Sequence, residues 1–354
     1  MSKNVFVGLS GGVDSAVSAY LLKQAGYNVT GVFIKVWQPD FVPCTWKEDR
    51  LDAMRVAAHL GIKFKTLDLE DLYKREVIDY MVSEYKIGRT PNPDVFCNKE
   101  VKFGGFLKWA IDNGADYIAT GHYARTINNE EGVDKIFLGK GVDKDKDQSY
   151  FLWTLTAEQL KHCIFPLGDM NKTEVRKIAK KLNLPNALKR DSQGLCFVSN
   201  VNMKDFLKHF IDIKRGDVLS TEGEIIGEHD GAVFYTIGER HGFEITKKNG
   251  NQSGPYFVVA KNIVNNTITV SQNHTKDTGS RIYKFSNENW ISGITPESTT
   301  NLEANVVYHG KIYSCKVEGE KVIFDEEILI ASGQSIVFYK NNVCLGGAII
   351  EKSL

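Results

Sequence analysis

The segment at residues 10–15, S-G-G-V-D-S, constrains the fold most, because it separates a short apolar run from an apolar-periodic segment. Residues 5–7 are typical of a buried strand, and the apolar spacing over 16–23 is typical of a helix. Glycines at such a turn let backbone N–H groups point inward, and the helix N-terminus adds a positive partial charge. We therefore predict a phosphate site, in which Ser10 and Ser15 add hydroxyl donors.

Two better-known phosphate-binding patterns are absent from the sequence. There is no G-x-x-x-x-G-K-[ST], so no Walker lysine is available for a γ-phosphate. There is no G-x-G-x-x-G either, so a dinucleotide site lacks its fingerprint. The loop alone predicts a phosphate site and leaves the reaction open.

The first two thirds of the chain alternate between strand-like and helix-like segments. Strands are predicted at 29–36, 64–69 and 117–119, and helices at 51–60 and 72–85. This alternation implies crossover connections and a mostly parallel sheet. We predict an α/β fold that begins with a Rossmann-like, parallel-sheet domain.

From about residue 215, short β-rich runs are separated by turn signals. Asn265-Asn266 is flanked by apolar runs and predicts a hairpin, and strands are predicted at 322–324, 335–339 and 343–350. We predict three domains: a catalytic domain at 1–199, a small central β-rich domain at 200–272 and a C-terminal β-barrel at 273–354.

Composition limits the classes of protein. The 354 residues carry 44 Lys+Arg and 44 Asp+Glu, and no apolar run is long enough to span a bilayer. The six cysteines, at 44, 97, 163, 196, 315 and 344, form no C-x-x-C pair, which disfavours zinc and iron–sulfur sites. We expect free thiols in a cytoplasmic protein without a membrane anchor or a signal peptide.

Charge is uneven despite the neutral total. Between 161 and 190 there are eight basic residues against Asp169 and Glu174. This segment fits either an RNA-binding surface or a solvated helix face, and the sequence leaves both open.

Two cysteine-containing stretches lie outside the loop. In the first, two prolines within three residues stiffen the chain before Asp94 and Cys97. Such a turn suits a positioned acid/base and thiol, or equally a helix N-terminus with Asp94 as its cap and a buried Cys97. In the second, Cys196 follows the basic pair Lys189-Arg190, which favours a reactive thiolate, although a packed cysteine in a short strand fits as well.

Taken together, the motifs resemble those of one family. In order they are S-G-G-V-D-S (10–15), G-R-T-P-N-P-D-x-x-C-N (88–98), A-T-G-H-Y-A-R (119–125), K-D-Q-S-Y-F-L (146–152) and D-S-x-G-x-C-F (191–197). This set resembles the tRNA-specific 2-thiouridylases of the N-type ATP pyrophosphatase superfamily, and the likeness covers essentially the whole chain. It implies an adenine nucleotide α-hydrolase type of catalytic domain that uses ATP and Mg²⁺. The implied substrate is a tRNA with a wobble uridine, whose C2 oxygen is replaced by sulfur from a cysteine desulfurase or a sulfur-relay protein.

The resemblance also implies roles for individual residues. Cys196 would carry a persulfide, Cys97 would be the nucleophile or resolving thiol, and Asp94 would assist proton transfer. ATP would be bound by Gly8, Leu9, Ser10, Gly11, Gly12, Val13, Asp14, Ser15, Ile34 and Gly121. The tRNA would contact Asn92, Pro93, Asp94, His122, Lys146, Asp147, Gln148 and Gln334.

Two positions depart from the family pattern. Glu239 stands where the family more often has Gln, and Val307 stands before Tyr308 where the family has Arg. An acid and a missing cation both weaken phosphate contacts.

Two other functions compete with thiolation: an ATP pyrophosphatase that acts on a small molecule, and an ATP-sensing or RNA-binding module without turnover.

Overall fold

A parallel sheet organises the N-terminal part of the protein. The computed structural model describes residues 2–42, 45–128, 136–190, 202–247, 254–273 and 279–354. Five strands form this sheet in the order β3-β2-β1-β4-β7. Their bounds are Asn4–Gly8 (β1), Asn28–Lys35 (β2), Lys63–Asp68 (β3), Tyr117–Ala119 (β4) and Cys163–Ile164 (β7). The predicted α/β class and parallel sheet are confirmed.

Helices cover both faces of this sheet, because successive side chains of a strand point to opposite sides. Val5 and Val7 pack with one group of helices, whereas Phe6 of the same strand packs with another. The helices are α1 (Val13–Gln24), α2 (Trp46–Leu60), α3 (Glu70–Tyr73), α4 (Tyr80–Lys86), α5 (Pro93–Phe96), α6 (Leu107–Asp112), α7 (Ala157–Leu160), α8 (Lys172–Lys181) and α9 (Met203–Leu207). Short 3₁₀ turns cover Ser149–Leu152 and Ala232–Phe234.

Two of these helical runs contain π-helix. The segments Lys74–Asp79, between α3 and α4, and Cys97–Phe106, between α5 and α6, are π-helical. Inside the second one, a Cβ on Gly105 would lie 2.7 Å from Leu72 Cδ2, so the glycine permits close packing of the two runs. The single helix predicted over 72–85 is therefore interrupted by a π-helical segment.

The central part forms a second sheet, in the order β10-β9-β8-β12-β11. Its strands are Gly216–Leu219 (β8), Ile225–His229 (β9), Phe243–Ile245 (β10), Phe257–Asn262 (β11) and Thr267–Ser271 (β12). β11 and β12 are antiparallel around Asn265-Asn266, and Asn266 has a φ of 52°, so the predicted hairpin is confirmed.

The C-terminal part is a barrel that also recruits a hairpin from the N-terminal part. Strand order is β13-β16-β15-β14-β17-β18-β6-β5, and β13 also pairs with β18 to close the barrel. The strands are Ala124–Asn128 (β5), Ile136–Lys140 (β6), Ser280–Trp290 (β13), Leu302–Asn305 (β14), Ile312–Glu318 (β15), Lys321–Ile328 (β16), Ser335–Lys340 (β17) and Val343–Ser353 (β18). The predicted barrel is confirmed, and the pairing of β6 with β18 joins it to the N-terminal part.

One hydrophobic cluster runs through all three parts. It includes Val95 from the first, Phe234 from the second and Tyr339 from the third, each no more than 5% exposed. The three parts therefore share a core. Within the described ranges, no helix is long and apolar enough to cross a membrane.

Candidate active site

The S-G-G-V-D-S segment forms a tight loop at the carboxyl end of β1. Gly12 is the N-cap of α1, and no side chain caps that helix. Ser15 Oγ accepts from Ser10 N at 3.3 Å and donates to Gly12 O at 3.1 Å, which holds the loop closed. Gly11 has a φ of +75°, and a Cβ there would lie 2.6 Å from Asp49 O. The loop thus presents uncapped helix amides at the sheet edge where phosphate groups bind in α/β proteins.

A second glycine brings a neighbouring strand against this loop. Gly121 follows β4, and a Cβ on it would lie 2.9 Å from Ser15 N and 3.0 Å from Asp14 Cβ. Ile34, near the carboxyl end of β2, is buried. The residues that the family resemblance assigns to ATP therefore lie at the carboxyl ends of three adjacent strands, β2, β1 and β4, or directly after them.

Asp14 has two partners that the sequence did not indicate. Lys172 Nζ lies 2.7 and 2.8 Å from the two carboxylate oxygens of Asp14, and Tyr123 OH donates to Oδ1 at 3.0 Å. The Lys172 side chain is only 13% exposed. Lys172, which the sequence placed in the basic segment, thus belongs to the loop site. A cation at this place can neutralise charge on a phosphate as well as on Asp14.

The loop is also supported from its outer side. Asn186 is 5% exposed, and its Nδ2 donates to Gly11 O at 2.9 Å. Lys189 Nζ lies 2.8 Å from Asp49 Oδ1 and 2.9 Å from Asp52 Oδ2 on α2. These contacts fix the segment that leads toward Cys196 against the phosphate loop.

The turn that carries Asp94 and Cys97 begins the second long helical run. Asn92 is its N-cap and accepts from Val95 N at 3.4 Å, and Pro93 occupies the first turn. The alternative interpretation is confirmed in its helix N-terminus and its buried Cys97, but it is wrong about the cap, because proline at N1 moves the cap to the preceding residue. Asp94 lies in the first helical turn, half-buried. Cys97 is 1% exposed and begins the π-helix, a rare conformation that is frequent at functional sites.

Neighbouring polar groups hold this turn in place. The Asn98 side chain donates to Phe151 O at 3.1 Å, and the Tyr150 hydroxyl donates to Ser335 O at 3.2 Å. Burial raises the pKa of Tyr150, so the phenol stays protonated at neutral pH. The turn is thereby attached to the 3₁₀ segment that follows Gln148.

The residues assigned to tRNA are partly engaged within the protein. Gln148 Oε1 accepts from Tyr123 N at 3.1 Å, and Gln334 Nε2 donates to Thr90 O at 2.9 Å. Asp147 Oδ1 accepts from Gly141 N at 2.9 Å and from Ser149 N at 3.1 Å. Lys146 is half-buried beside them. The tRNA contacts of these residues stay predictions.

His122 is 7% exposed beside Gly121. Its Nδ1 lies 2.7 Å from Thr120 Oγ1, and its ring packs against Phe103 and Phe165. Burial, with a smaller effect of Lys102, lowers the pKa of His122 well below its usual value. The imidazole is therefore neutral in the folded protein at physiological pH.

This burial predicts a loss of stability in mild acid. As the pH falls below the unfolded-state pKa of about 6.5, the unfolded chain binds a proton at His122 before the folded chain does. The free energy of unfolding should then fall by up to about 1.4 kcal/mol per pH unit from this residue. Urea unfolding of the His122→Asn variant between pH 7.5 and 5.5 should show a flatter pH dependence than wild type. The exposed His59→Asn variant should keep the wild-type slope; equal slopes for all three proteins would contradict the prediction.

The five cysteines other than Cys97 fall into two groups. Burial raises the pKa of Cys163, Cys315 and Cys344, to about 12 for the last two, so these thiols are protonated and inert. Cys44 and Cys196 lie outside the described residues. In the basic pair that precedes Cys196 in the sequence, the Lys189 ammonium forms ion pairs with Asp49 and Asp52.

The two departures from the family pattern have different surroundings. Glu239 Oε2 accepts from Thr236 N at 2.9 Å, so the carboxylate closes the turn between them. Burial raises the pKa of Glu239, against the effect of nearby Lys204 and Lys261. Val307 is 55% exposed. Glu239 therefore accepts a hydrogen bond within a turn, whereas Val307 places an apolar side chain on the surface.

No group of three or more His, Cys, Asp or Glu side chains in the described ranges could hold a metal ion. Mg²⁺ commonly binds through one or two carboxylates together with substrate phosphates. Asp14, beside the loop, fits that mode. It would share a nucleotide-bound Mg²⁺, which would neutralise phosphate charge.

The fold and this site define an α/β domain that has a glycine-rich loop between its first strand and first helix and is joined to two β domains. Three family models match the chain: "tRNA methyl transferase HUP domain" over residues 3–200, "tRNA methyl transferase PRC-barrel domain" over 204–272 and "Aminomethyltransferase beta-barrel domain" over 280–350. The tRNA-specific 2-thiouridylase MnmA of Haemophilus ducreyi is 42% identical over 100% of this chain and 94% of its own. That of Francisella philomiragia is 44% identical over 99% of both. The chain belongs to the family of tRNA-specific 2-thiouridylases.

Among solved structures, the U34-tRNA thiolase NcsA from Methanococcus maripaludis is 21% identical to this chain. The alignment covers 60% of this chain and 66% of that one, with a TM-score of 0.37. This is a distant likeness.

Proposed function

We propose that the protein is a tRNA-uridine 2-sulfurtransferase, which replaces the C2 oxygen of the wobble uridine with sulfur at the expense of ATP. The observation that carries the proposal is the match to 2-thiouridylases over 99–100% of this chain, which spans the loop and both cysteine motifs. ATP and tRNA are the substrates, and a cysteine desulfurase or a sulfur-relay protein is the sulfur donor. The site of action is the cytoplasm.

The first step is activation of the uridine. A carbonyl oxygen is a poor leaving group, so the C2 oxygen attacks the α-phosphorus of ATP and pyrophosphate leaves. The loop amides and Lys172 stabilise charge on the departing pyrophosphate, and Asp14 and Tyr123 keep the Lys172 ammonium in place. Asp94 accepts the proton of the uridine N3, with Asn92 and Pro93 against the base.

The second step is sulfur transfer. Cys196 carries a persulfide, whose terminal sulfur attacks C2 of the adenylated uridine and displaces AMP. The Cys97 thiolate then attacks the inner sulfur, breaks the sulfur–sulfur bond to the product and forms a Cys97–Cys196 disulfide. A two-electron thiol reductant restores both cysteines. Because Cys97 is buried, this step requires the Cys196 segment to displace groups that cover it.

The proposed function is tested with purified protein, unmodified tRNA, ATP and a desulfurase with cysteine. Mass spectrometry of the nucleosides should show 2-thiouridine, and AMP and pyrophosphate should form only when tRNA is present. Pyrophosphate release that does not depend on tRNA would point instead to a pyrophosphatase that acts on a small molecule. No release under any of these conditions would point to a binding module without turnover. Either result would overturn the proposal.

The basic segment is a separate prediction about tRNA binding. Lys177, Lys180 and Lys181 on α8 are exposed and have no ion-pair partner within the described part of the chain. Removing one lysine–phosphate interaction should reduce the slope of log K against log salt concentration by roughly 0.7–0.9. We expect the Lys177→Gln/Lys180→Gln/Lys181→Gln variant to bind tRNA with a slope about two units smaller in filter-binding assays. The corresponding triple Lys→Arg variant is the control and should keep the slope. An unchanged slope in the Gln variant would make this a solvated helix face.

A further inference from the structure

Arg89 and Thr90, which precede Pro91 and the Asn92–Cys97 turn, are held by the C-terminal barrel. Thr90 N donates to Ser332 O at 2.8 Å, and Gln334 Nε2 donates to Thr90 O at 2.9 Å. Gly333 has a φ of +90°, and a Cβ on it would lie 2.8 Å from Thr90 N. Both backbone polar groups of Thr90 are thus bonded to one barrel loop, which approaches too closely for any larger residue.

A charged contact reinforces this attachment one residue earlier. Arg89 Nε donates to Glu84 Oε2 at 2.7 Å, and its guanidinium contacts both carboxylate oxygens of Glu351 on β18, with Nη2 3.1 Å from Oε1. Glu351 also accepts from Ser286 Oγ on β13. All three charged side chains are largely shielded from solvent. A two-point arginine–carboxylate pair fixes orientation as well as distance.

Two loops of the central part, at Thr236 and Ile263, hold the same segment from another side. Thr90 Oγ1 and Thr236 Oγ1 lie 3.2 Å apart. Gly88 has a φ of +81°, and a Cβ on it would lie 2.5 Å from Ile263 Cγ1. Residues 88–90 therefore lie at the meeting point of all three parts of the protein, directly before Pro91 and the turn with Asp94 and Cys97.

We propose that Arg89, Glu351 and Gln334 are positioning residues, through which the C-terminal barrel sets the orientation of the Asn92–Cys97 turn. In this way the barrel contributes to thiolation by orienting the turn, and this contribution is independent of any RNA contact that the barrel makes. Gln334, which the resemblance assigns to tRNA, acts on the turn through the Thr90 carbonyl. The inference rests on the proposed function, since it concerns the same reaction.

A large effect on the thiolation rate is expected because these contacts lie only a few residues along the chain from Asp94 and Cys97. Only Pro91 separates Thr90 from Asn92, so a small rotation at residues 89–90 is passed to the turn with little loss, because proline restricts its own φ and its neighbour. A misplacement of about 1 Å at reacting groups costs about 100-fold in rate. The three residues should therefore affect the rate with bound tRNA rather than the affinity for tRNA.

The test uses Glu351→Gln, Arg89→Met, their combination and Gln334→Glu in the full chain. Each single variant should lower kcat for thiolation about 10-fold or more, with the Kd for tRNA within twofold of wild type. Glu351→Gln and Arg89→Met should be non-additive, since either one removes the same pair. The exposed barrel pair Lys311–Glu326, 2.6 Å apart, provides the control variant Glu326→Gln, which should keep wild-type kcat.

Three results would overturn the inference. The first is a wild-type kcat in both single variants, Glu351→Gln and Gln334→Glu, since both substitutions preserve side-chain volume. Another is a raised Kd for tRNA at unchanged kcat in Gln334→Glu, which would make Gln334 an RNA contact. The third is additive losses in the Arg89/Glu351 cycle. Failure of the proposed function would be recognised separately, because wild-type protein would then make no 2-thiouridine.

Discussion

Asp14→Asn, Ser10→Ala and Lys172→Met are each expected to lower tRNA-dependent pyrophosphate release about 100-fold or more. The reason is that these side chains form or hold the phosphate loop: Ser10 Oγ accepts from Gly12 N at 3.3 Å, and Lys172 lies 2.7 Å from Asp14 Oδ1. Asparagine keeps the shape of Asp14 while removing the charge that orients Lys172. Pyrophosphate release by each variant is measured at saturating ATP and tRNA.

The matched control is Lys177→Met, because Lys177 lies on the same helix as Lys172 but is exposed. Its rate of pyrophosphate release at saturating tRNA should stay within twofold of wild type. Asp14→Asn and Lys172→Met should also be non-additive, as members of one pair. Wild-type pyrophosphate release in Asp14→Asn and Ser10→Ala would remove the loop from the reaction.

Cys196→Ser and Cys97→Ser should both abolish thiolation but stop the reaction at different points. Cys196→Ser should still form adenylated tRNA and take up no labelled sulfur, because the attacking atom in adenylation is the uridine oxygen. Cys97→Ser should load a persulfide on Cys196 and stall before product, unless a strong reductant or free sulfide bypasses the step. Peptide mapping after incubation with labelled sulfur, beside nucleoside analysis, separates the two.

Wild-type protein that has turned over without reductant should accumulate a Cys97–Cys196 disulfide. Cys163→Ser is the matched control, because its hydroxyl can replace the thiol that donates to Gln159 O at 3.1 Å. Label on Cys97 in wild type, with a fully active Cys196→Ser variant, would reverse the two roles. Full activity of both serine variants would mean that sulfide is the direct nucleophile.

Short-range features of the chain were predictable because their signals are local. The strand-to-helix loop at 10–15, the parallel strands on either side of it and the hairpin at Asn265-Asn266 each depend on residues close in sequence. Glycine and asparagine at positive φ, apolar periodicity and proline stiffness act within a few residues. The family likewise followed from ordered motifs.

Tertiary structure decided which basic side chains form ion pairs, and with which carboxylates. Lys172 belongs to the same basic segment as Lys177, yet it folds against Asp14, 158 positions away, while Lys177 faces solvent. Periodicity identifies a polar face but cannot identify its partner, because ion pairs depend on distances in space. The same holds for Lys189, whose ammonium forms ion pairs with two carboxylates of α2 that lie far from it in the sequence.

The sequence by itself determined the glycine-rich loop at 10–15, the order of the three domains and the two cysteine motifs, since each is encoded by neighbouring residues. Only the tertiary structure joined β6 to β18 and placed Gln334 on Thr90, 244 positions away. Strand pairing and buried hydrogen bonds select partners by geometry, because an unpaired polar group in the interior is costly wherever its partner lies in the chain. Packing therefore decided how the barrel supports the Asn92–Cys97 turn.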